Sequence, residues 1–290
     1  MELRLLQYFL AVCREENISR AADMLHLTQP TLSRQIAQLE EELGATLFIR
    51  GRHLALTEAG MKLRSRAEEI VQMMDRIEIE FREQEELAGV VSIGAGGLSS
   101  FQTLANLIEG FQKKYPRVQF DFYTNNAEFV KERLERGLLD FGLLLEPVDI
   151  TKYNYIRMKE KERWGLLLRQ DHPLAAKASV FRRDLQDVPL ITSNRLAIQQ
   201  EVSHWFGDNL QELNIVATYN IITNVAALVD SNVACALTLE GAVNLFDGGR
   251  LTFRPLSPAL EMNSVLVWKK FNPFFNAAGK FLEYFKDMYV

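Results

Sequence analysis

The stretch that decides the fold of the N-terminal part is residues 18–57, ISRAADMLHLTQPTLSRQIAQLEEELGATLFIRGRHLALT. Apolar residues recur in it at helical spacing on both sides of a tight turn. We predict a short helix from Arg20 to Leu25 that Ser19 caps, and a second helix that Pro30 opens and Gly44 ends. Two short helices joined by such a turn form a helix-turn-helix pair.

Two apolar runs follow this pair, Leu47 to Arg50 and His53 to Leu56, on either side of Gly51-Arg52. Apolar runs around a Gly-X pair predict a β-hairpin, and Thr57 is placed to cap the helix after it. The N-terminal part is therefore predicted to be a winged helix-turn-helix, a fold whose second helix fits the major groove of DNA.

The first turn of the second helix carries polar side chains, whereas Leu32 and Ile36 point to the core. Gln can pair with adenine, and Arg can pair with guanine or bind phosphate. Arginines beside the hairpin would meet the DNA backbone or the minor groove. Any one of these side chains could equally be solvated surface, but the ordered set indicates DNA recognition. The candidate DNA-binding residues are Ser19, Thr28, Gln29, Pro30, Thr31, Ser33, Arg34, Arg50 and Arg52.

A long helix without proline is predicted from residue 58 to about Glu86. Its apolar residues are spaced four, three, four, three and four apart, which is a heptad seam. Such a helix needs a partner, which is either its own domain or a second copy of the chain. We expect a dimer seam because the surrounding faces are charged. The candidate dimerisation residues are Leu63, Ile70, Met74, Ile77 and Phe81, with Ala67 at the remaining seam position.

Strands alternate with helices after Gly89. A buried strand at Val90 to Gly94 is followed by a helix from about Phe101 to Lys114 and by further strands and helices. A second block of the same kind runs from about Lys161 to Pro255. This order predicts an α/β domain with a parallel sheet.

The first 60 residues resemble the LysR-type transcriptional regulators of bacteria almost without a gap. The resemblance rests on residues 18–22, 27–36, 39–40, 43–44, 47–50 and 56–60. It implies an all-α, winged helix-turn-helix N-terminal domain and an α/β effector domain like a type 2 periplasmic binding protein, with a ligand cleft between two α/β subdomains. It also implies a regulator that binds double-stranded promoter DNA, responds to a small-molecule effector and assembles as a homotetramer, a dimer of dimers; contact with RNA polymerase stays open.

The expected domain organisation follows from this resemblance. A winged helix-turn-helix domain takes residues 1–58, a linker and dimerisation helix residues 59–88, and an effector-binding domain residues 89–290. Within the last, subdomain I is expected at about 89–160 and 266–290, and subdomain II at about 161–265.

The effector is expected at the carboxyl ends of the parallel strands. Ser99 and Ser100 stand where a helix begins, and free N–H groups there favour an anion such as a carboxylate; plain capping by these serines is the alternative. Arg195 could pair with a carboxylate or form a surface salt bridge. The candidate effector-binding residues are Gly97, Leu98, Ser99, Ser100, Thr124, Asn125, Glu146, Thr192, Ser193, Arg195, Thr223 and Asn224.

Composition and charge are those of an ordinary globular chain, with 48% hydrophobic and 24% charged residues and a net charge of −5. The acidic excess lies in residues 67–86, so the net charge does not argue against a local DNA footprint. Cys13 and Cys235 are expected to be buried thiols. With no apolar run of about 18 residues and no export signal, we expect a cytoplasmic protein without a membrane partner.

The sequence argues against two other classes of protein, a plain solute-binding protein and an enzyme. A plain solute-binding protein would need an export signal and would not carry a helix-turn-helix. An enzyme would need a nucleophile–base pair, a metal-spaced cluster or a phosphate-binding loop, and the four histidines are scattered (His26, His53, His172 and His204). We therefore expect no catalytic activity, no cofactor and no metal.

Overall fold

The computed structural model describes residues 1–49, 54–81, 87–207, 213–243, 249–270 and 276–289. The chain divides into two compact units, Met1–Glu83 and Gln84–Val290. Within the described residues, no helix is both long and apolar enough to cross a membrane.

The N-terminal unit is a helix-turn-helix with a hairpin and a long helix. Its elements are α1 (Leu3–Glu15), α2 (Ile18–Met24), α3 (Gln29–Leu43), β1 (Phe48–Ile49), β2 (Ala55–Leu56) and α4 (Glu58–Phe81). The predicted hairpin is confirmed, since β1 and β2 are antiparallel. The predicted cap of α2 is wrong: the Asn17 side chain accepts from the backbone N–H groups of Ser19 and Arg20, at 2.9 and 3.1 Å, so that α2 starts earlier than expected. Asn and Ser are similarly favourable N-cap residues, so the sequence does not distinguish Asn17 from Ser19 as the cap.

The core of this unit joins α1, α3 and the hairpin. Phe9 is fully buried and its ring lies 5.3 Å from that of Phe48. Glu40 of α3 accepts hydrogen bonds from the backbone N–H groups of Leu47 and Phe48, at 2.7 and 3.3 Å. The hairpin is thus attached to the helix by both packing and polar contacts.

The first half of α4 packs on this same core. Ala67 is fully buried, and Leu63 and Val71 are partly buried against it. Leu63 therefore packs partly against the core of its own unit, and its place in a dimer seam stays a prediction. Ile70 and Met74 remain 41% and 37% exposed; the side chains of Ile77 and Phe81 lie outside the described residues.

The C-terminal unit is an α/β fold with mixed strands, which corrects the purely parallel sheet expected from the sequence. Its elements are β3 (Gly89–Ala95), α5 (Phe101–Lys114), β4 (Val118–Thr124), α6 (Ala127–Glu135), β5 (Phe141–Leu145), β6 (Tyr153–Arg169), β7 (Val180–Phe181), β8 (Leu190–Ser193), α7 (Leu196–Trp205), β9 (Ile215–Tyr219), α8 (Val225–Asp230), β10 (Cys235–Leu239), α9 (Glu240–Val243), β11 (Leu251–Ser257), β12 (Glu261–Lys269) and α10 (Asn276–Tyr289). The main strand order is β4-β3-β5-β12-β6-β10-β8-β9. The neighbours β4-β3-β5 and β10-β8-β9 are parallel, whereas β12 and β6 run antiparallel to theirs.

One long strand, β6, serves both halves of this unit. Residues 153–163 pair with β12, and residues 164–169 pair with β10 and β11. We call the half built on β3, β4, β5 and β12 the first lobe and the half built on β7–β11 the second lobe. The carboxyl ends of β3 and β4 in the first lobe, and of β8 and β9 in the second, lead into the loops described below.

Gly60, in the first turn of α4, offers a test of this fold. A Cβ on Gly60 would clash with the carbonyl oxygen of Leu47 and would lie 2.8 Å from Cδ2 of Leu56. We expect Gly60→Ala to lower the free energy of unfolding of the N-terminal unit by about 1–3 kcal/mol, because backbone has to move. Thermal unfolding followed by circular dichroism measures it. Ser65→Ala, at an exposed position on the same helix, is the matched control; equal melting of the two variants would contradict this packing.

Candidate DNA-binding surface and ligand cleft

The start of α3 is fixed by its own sequence. The Thr28 side chain caps the helix by accepting from the N–H of Thr31, and Pro30 occupies the first turn. His26 takes a φ of 55°, which turns the chain between α2 and α3 within four residues. The helix therefore begins abruptly with its first turn on the surface.

The side chains of that first turn divide by polarity as the sequence predicted. Leu32 and Ile36 are 0% and 1% exposed, while Gln29, Thr31 and Arg34 lie on the surface. The Gln29 amide donates to the Ser33 hydroxyl at 2.9 Å, which orients both groups along the exposed face.

Of the other candidate DNA-binding residues, three are described by the structure and two are not. Ser19, Thr28 and Pro30 are also exposed. Arg50 and Arg52 lie outside the described residues, so their role in the wing stays a prediction.

Two adjoining cavities lie at the carboxyl ends of β3 and β4, one of about 110 Å³ and one of about 250 Å³. Both are lined by residues 96–98 of the first lobe and 221–222 of the second. Apolar and aromatic side chains form much of the walls, and we call the two cavities together the cleft. The aromatic residues among them are Phe101, Phe122, Tyr123, Trp164 and Tyr219.

Eight of the candidate effector-binding residues line the cleft, namely Gly97, Leu98, Ser99, Thr124, Asn125, Ser193, Arg195 and Thr223. Four are not among its described lining: Ser100, Glu146, Thr192 and Asn224. The Ser100 side chain is buried, with its hydroxyl 2.8 Å from that of Ser264. Glu146 forms an ion pair with Arg157 at 2.8 Å, and Thr192 is 3% exposed.

The start of α5 already holds an anion that the protein itself supplies. The Glu162 carboxylate of β6 accepts from the backbone N–H groups of Ser99 at 2.7 Å and Ser100 at 3.0 Å, and Glu162 is fully buried. The Ser264 hydroxyl also donates to it, at 3.3 Å. The expectation that these N–H groups await an anionic ligand is therefore wrong, because their partner is in place.

Arg195 joins the two lobes. Its guanidinium donates to Glu128 at 2.8 Å and to the carbonyl oxygens of Leu145 at 3.0 Å and Pro147 at 2.7 Å, all on the first lobe. The side chain is only 8% exposed. Of the two alternatives left open by the sequence, the observed contact is an ion pair, with two backbone bonds added to it.

A second contact between the lobes depends on a glycine. A Cβ on Gly241, at the start of α9, would clash with the backbone of Leu98 and Ser99. The loop after β3 and the helix after β10 can approach this closely only without a side chain at that position.

Several cleft residues were not singled out from the sequence, among them Trp164, Ile198 and Tyr219. They follow from strand pairing over long separations, which local patterns do not reveal. Burial raises the pKa of Tyr219 to about 12, and its hydroxyl donates to the carbonyl oxygen of Leu237 at 2.8 Å. It is therefore a neutral phenol at physiological pH.

The two cysteines are not paired with each other. Cys13 and Cys235 are buried thiols, as expected, and burial raises their pKa values to about 12 and about 11. In the part of the chain that the structure describes, no group of three or more His, Cys, Asp or Glu could hold a metal ion.

Comparisons with known proteins agree with this geometry. The family model described as "Bacterial regulatory helix-turn-helix protein, lysR family" matches residues 3–61, and the "LysR substrate binding domain" matches residues 84–289. The HTH-type transcriptional regulator AlsR of Bacillus subtilis (strain 168) is 37% identical over 279 residues, which is 94% of this chain and 91% of AlsR.

Solved structures show the same fold over the full length. CbnR, a LysR family transcriptional regulator, has a TM-score of 0.80 at 21% identity and covers 100% of both chains. Full-length CbnR complexed with its target DNA has a TM-score of 0.78 at 21% identity, covering 99% of this chain and 98% of that one. The chain belongs to the LysR family of DNA-binding transcriptional regulators, with a substrate-binding domain after its helix-turn-helix.

Proposed function

We propose that this protein binds promoter DNA through α3 and that a small molecule in the cleft changes its transcriptional output. The observation that carries the proposal is that the polar side chains in the first turn of α3 are exposed, while the apolar side chains on the other face of the same helix are buried. Because that partner is promoter DNA, the protein would act in the cytoplasm.

The chemistry of α3 suits base-edge recognition. The Gln29 amide both donates and accepts, as pairing with adenine requires, and Arg34 offers a planar fork of donors for guanine or phosphate. Thr28 and Thr31 add hydroxyls that can reach phosphate oxygens. CbnR, a LysR family regulator of similar fold, has been solved as a complex with its target DNA, which is consistent with a DNA-binding role for this chain.

The cleft supports the proposed small-molecule response. It lies between two lobes that Arg195 and the close approach at Gly241 connect, and a ligand that fits one arrangement of the lobes better than another would shift their populations. An anionic effector is expected from the sequence because the N–H groups at Ser99 and Ser100 would be free to bind it. Since both N–H groups already donate to Glu162, the main reason to expect an anion is removed. The proposal therefore includes a small molecule between the lobes but not an anion.

The exposed part of α4 supports self-association. Ile70, Met73 and Met74 are 41%, 41% and 37% exposed and share one side of the helix. An apolar stripe of this kind on a long helix is typical of a coiled-coil seam. We propose a dimer through residues 70–81 and a dimer of dimers through further contacts, with 1–58, 59–88 and 89–290 as the functional segments.

Arg34 tests the DNA contact. We expect Arg34→Ala to weaken binding to a duplex selected by the wild-type chain from a random-sequence library by about 10- to 100-fold, the loss of one good base contact of about 1–3 kcal/mol. A gel shift at fixed salt concentration measures it.

Arg4→Ala is the matched control, since Arg4 is a 65% exposed arginine of the same unit. It removes the same charge and should change affinity little, while melting curves should show both variants folded. Wild-type affinity in the Arg34 variant would contradict the recognition surface.

Ile70 tests the seam. We expect Ile70→Asp to dissociate the dimer through α4 and so to lower the mass measured by light scattering at least about twofold, because a charge would be buried at an apolar contact. Ser65→Asp adds the same charge at an exposed position and should leave the mass unchanged. Leu63→Asp should lower the melting temperature instead, since Leu63 belongs to the core of its own unit. An unchanged mass for the Ile70 variant would argue against the seam.

A further inference from the structure

We infer that the ligand of the cleft is an uncharged small molecule, with a flat or branched apolar body and a neutral hydrogen-bonding head. The inference rests on the proposed function in taking the cleft as the effector site. It departs from the anion that the sequence suggested, and three features of the cleft carry it.

The first feature is the charge of the walls. Among the described residues that line the two cavities, Arg195 is the one with a charged side chain. The other polar groups are amides and hydroxyls, such as Asn125, Asn220, Ser193 and Thr223, together with the phenol of Tyr219. These groups can orient a neutral donor or acceptor and carry no charge of their own.

The second feature is that the charge of Arg195 is already balanced. Its Nε donates to Glu128, and its two terminal nitrogens donate to the carbonyl oxygens of Leu145 and Pro147. Three of the five guanidinium N–H donors are used in this way, and a ligand carboxylate that replaced the carbonyl oxygens at the two terminal nitrogens would displace those partners. Such an exchange leaves two carbonyl groups in need of new donors.

The third feature is the buried carboxylate of Glu162 behind the loop at Ser99. It accepts the backbone N–H groups that a ligand anion would need at the start of α5. Ser99 itself lines the larger cavity. A ligand carboxylate there would therefore meet a like charge at short range in a poorly solvated site, which is unfavourable.

A cation is disfavoured for a related reason. No carboxylate belongs to the described lining of either cavity, and Glu162 is shielded by Ser99, Ser100 and Ser264. Burying an unpaired ammonium or amidinium group costs several kcal/mol. A neutral head avoids both penalties, while walls such as Phe101, Trp164 and Ile198 favour an apolar body.

A probe set of equal shape and different charge tests the inference on the full-length chain. Benzamide, benzoate and benzamidinium share a flat ring and a three-atom head and are neutral, anionic and cationic at pH 7. We expect benzamide to bind at least about tenfold more tightly than either ion by titration calorimetry, with a matching order of melting-temperature shifts. Thr223→Trp, an exposed substitution at the larger cavity, should weaken benzamide binding and so place it in the cleft.

Two variants separate charge from shape. Glu128→Gln leaves the Arg195 guanidinium without its counter-charge, and Glu162→Gln removes the buried negative charge. Each should raise benzoate affinity by at least about fivefold and leave benzamide affinity nearly unchanged. Glu128 is 58% exposed, so its variant keeps the test valid if the Glu162 variant fails to fold.

The outcomes decide the matter in either direction. Tighter binding of benzoate or benzamidinium than of benzamide to the wild-type chain would overturn the inference, and so would no binding by any of the three. If the chain still retained its selected duplex in those cases, the DNA-binding proposal would stand. If the wild-type chain recognised no duplex, that result would contradict the proposed function instead.

Discussion

One face of α3 must be buried, and this constraint decides what its other face can do. Leu32, Ile36 and Leu39 are at most 1% exposed. Each such side chain contributes roughly 1.5–3 kcal/mol when it leaves water. A rotation of the helix that brought Arg34 inside would lose this contribution and would desolvate a guanidinium, which is costly. The outward orientation of the polar turn is therefore stabilised by the core of the N-terminal unit and is present before DNA arrives.

Satisfaction of backbone N–H groups plays a comparable part in the cleft. The first N–H groups of a helix have no partner within the helix, and near the start of α5 the carboxylate of Glu162 supplies one. The same carboxylate takes the hydroxyl of Ser264, so α5, β6 and β12 meet at a single charged group. The need to pair the N–H groups at the start of α5 thus places a negative charge next to the cleft.

Features that depend on near neighbours in sequence could be predicted, and features that depend on distant ones could not. Helical spacing located α3 and the start of α4, because residues three or four apart share a helix face. The partner of Glu162 lies 62 residues away at Ser100, and that of Arg195 lies 67 residues away at Glu128. An apolar stripe in the sequence also does not show whether it packs on its own unit or on a second chain, and Leu63, at the start of the predicted seam, packs partly on its own unit.

The contacts of Arg195 bear on how a ligand could act at all. A ligand shifts a conformational equilibrium only by the difference between its affinities for the two states. In the arrangement seen here, Arg195 and the close approach at Gly241 already hold the lobes together. A neutral ligand can leave the ion pair with Glu128 intact and add contacts with both lobes, so it stabilises this arrangement. An anion that replaced Glu128 and the two carbonyl oxygens on Arg195 would break the same contacts and favour separation of the lobes, so the charge of the ligand and the direction of the response are linked.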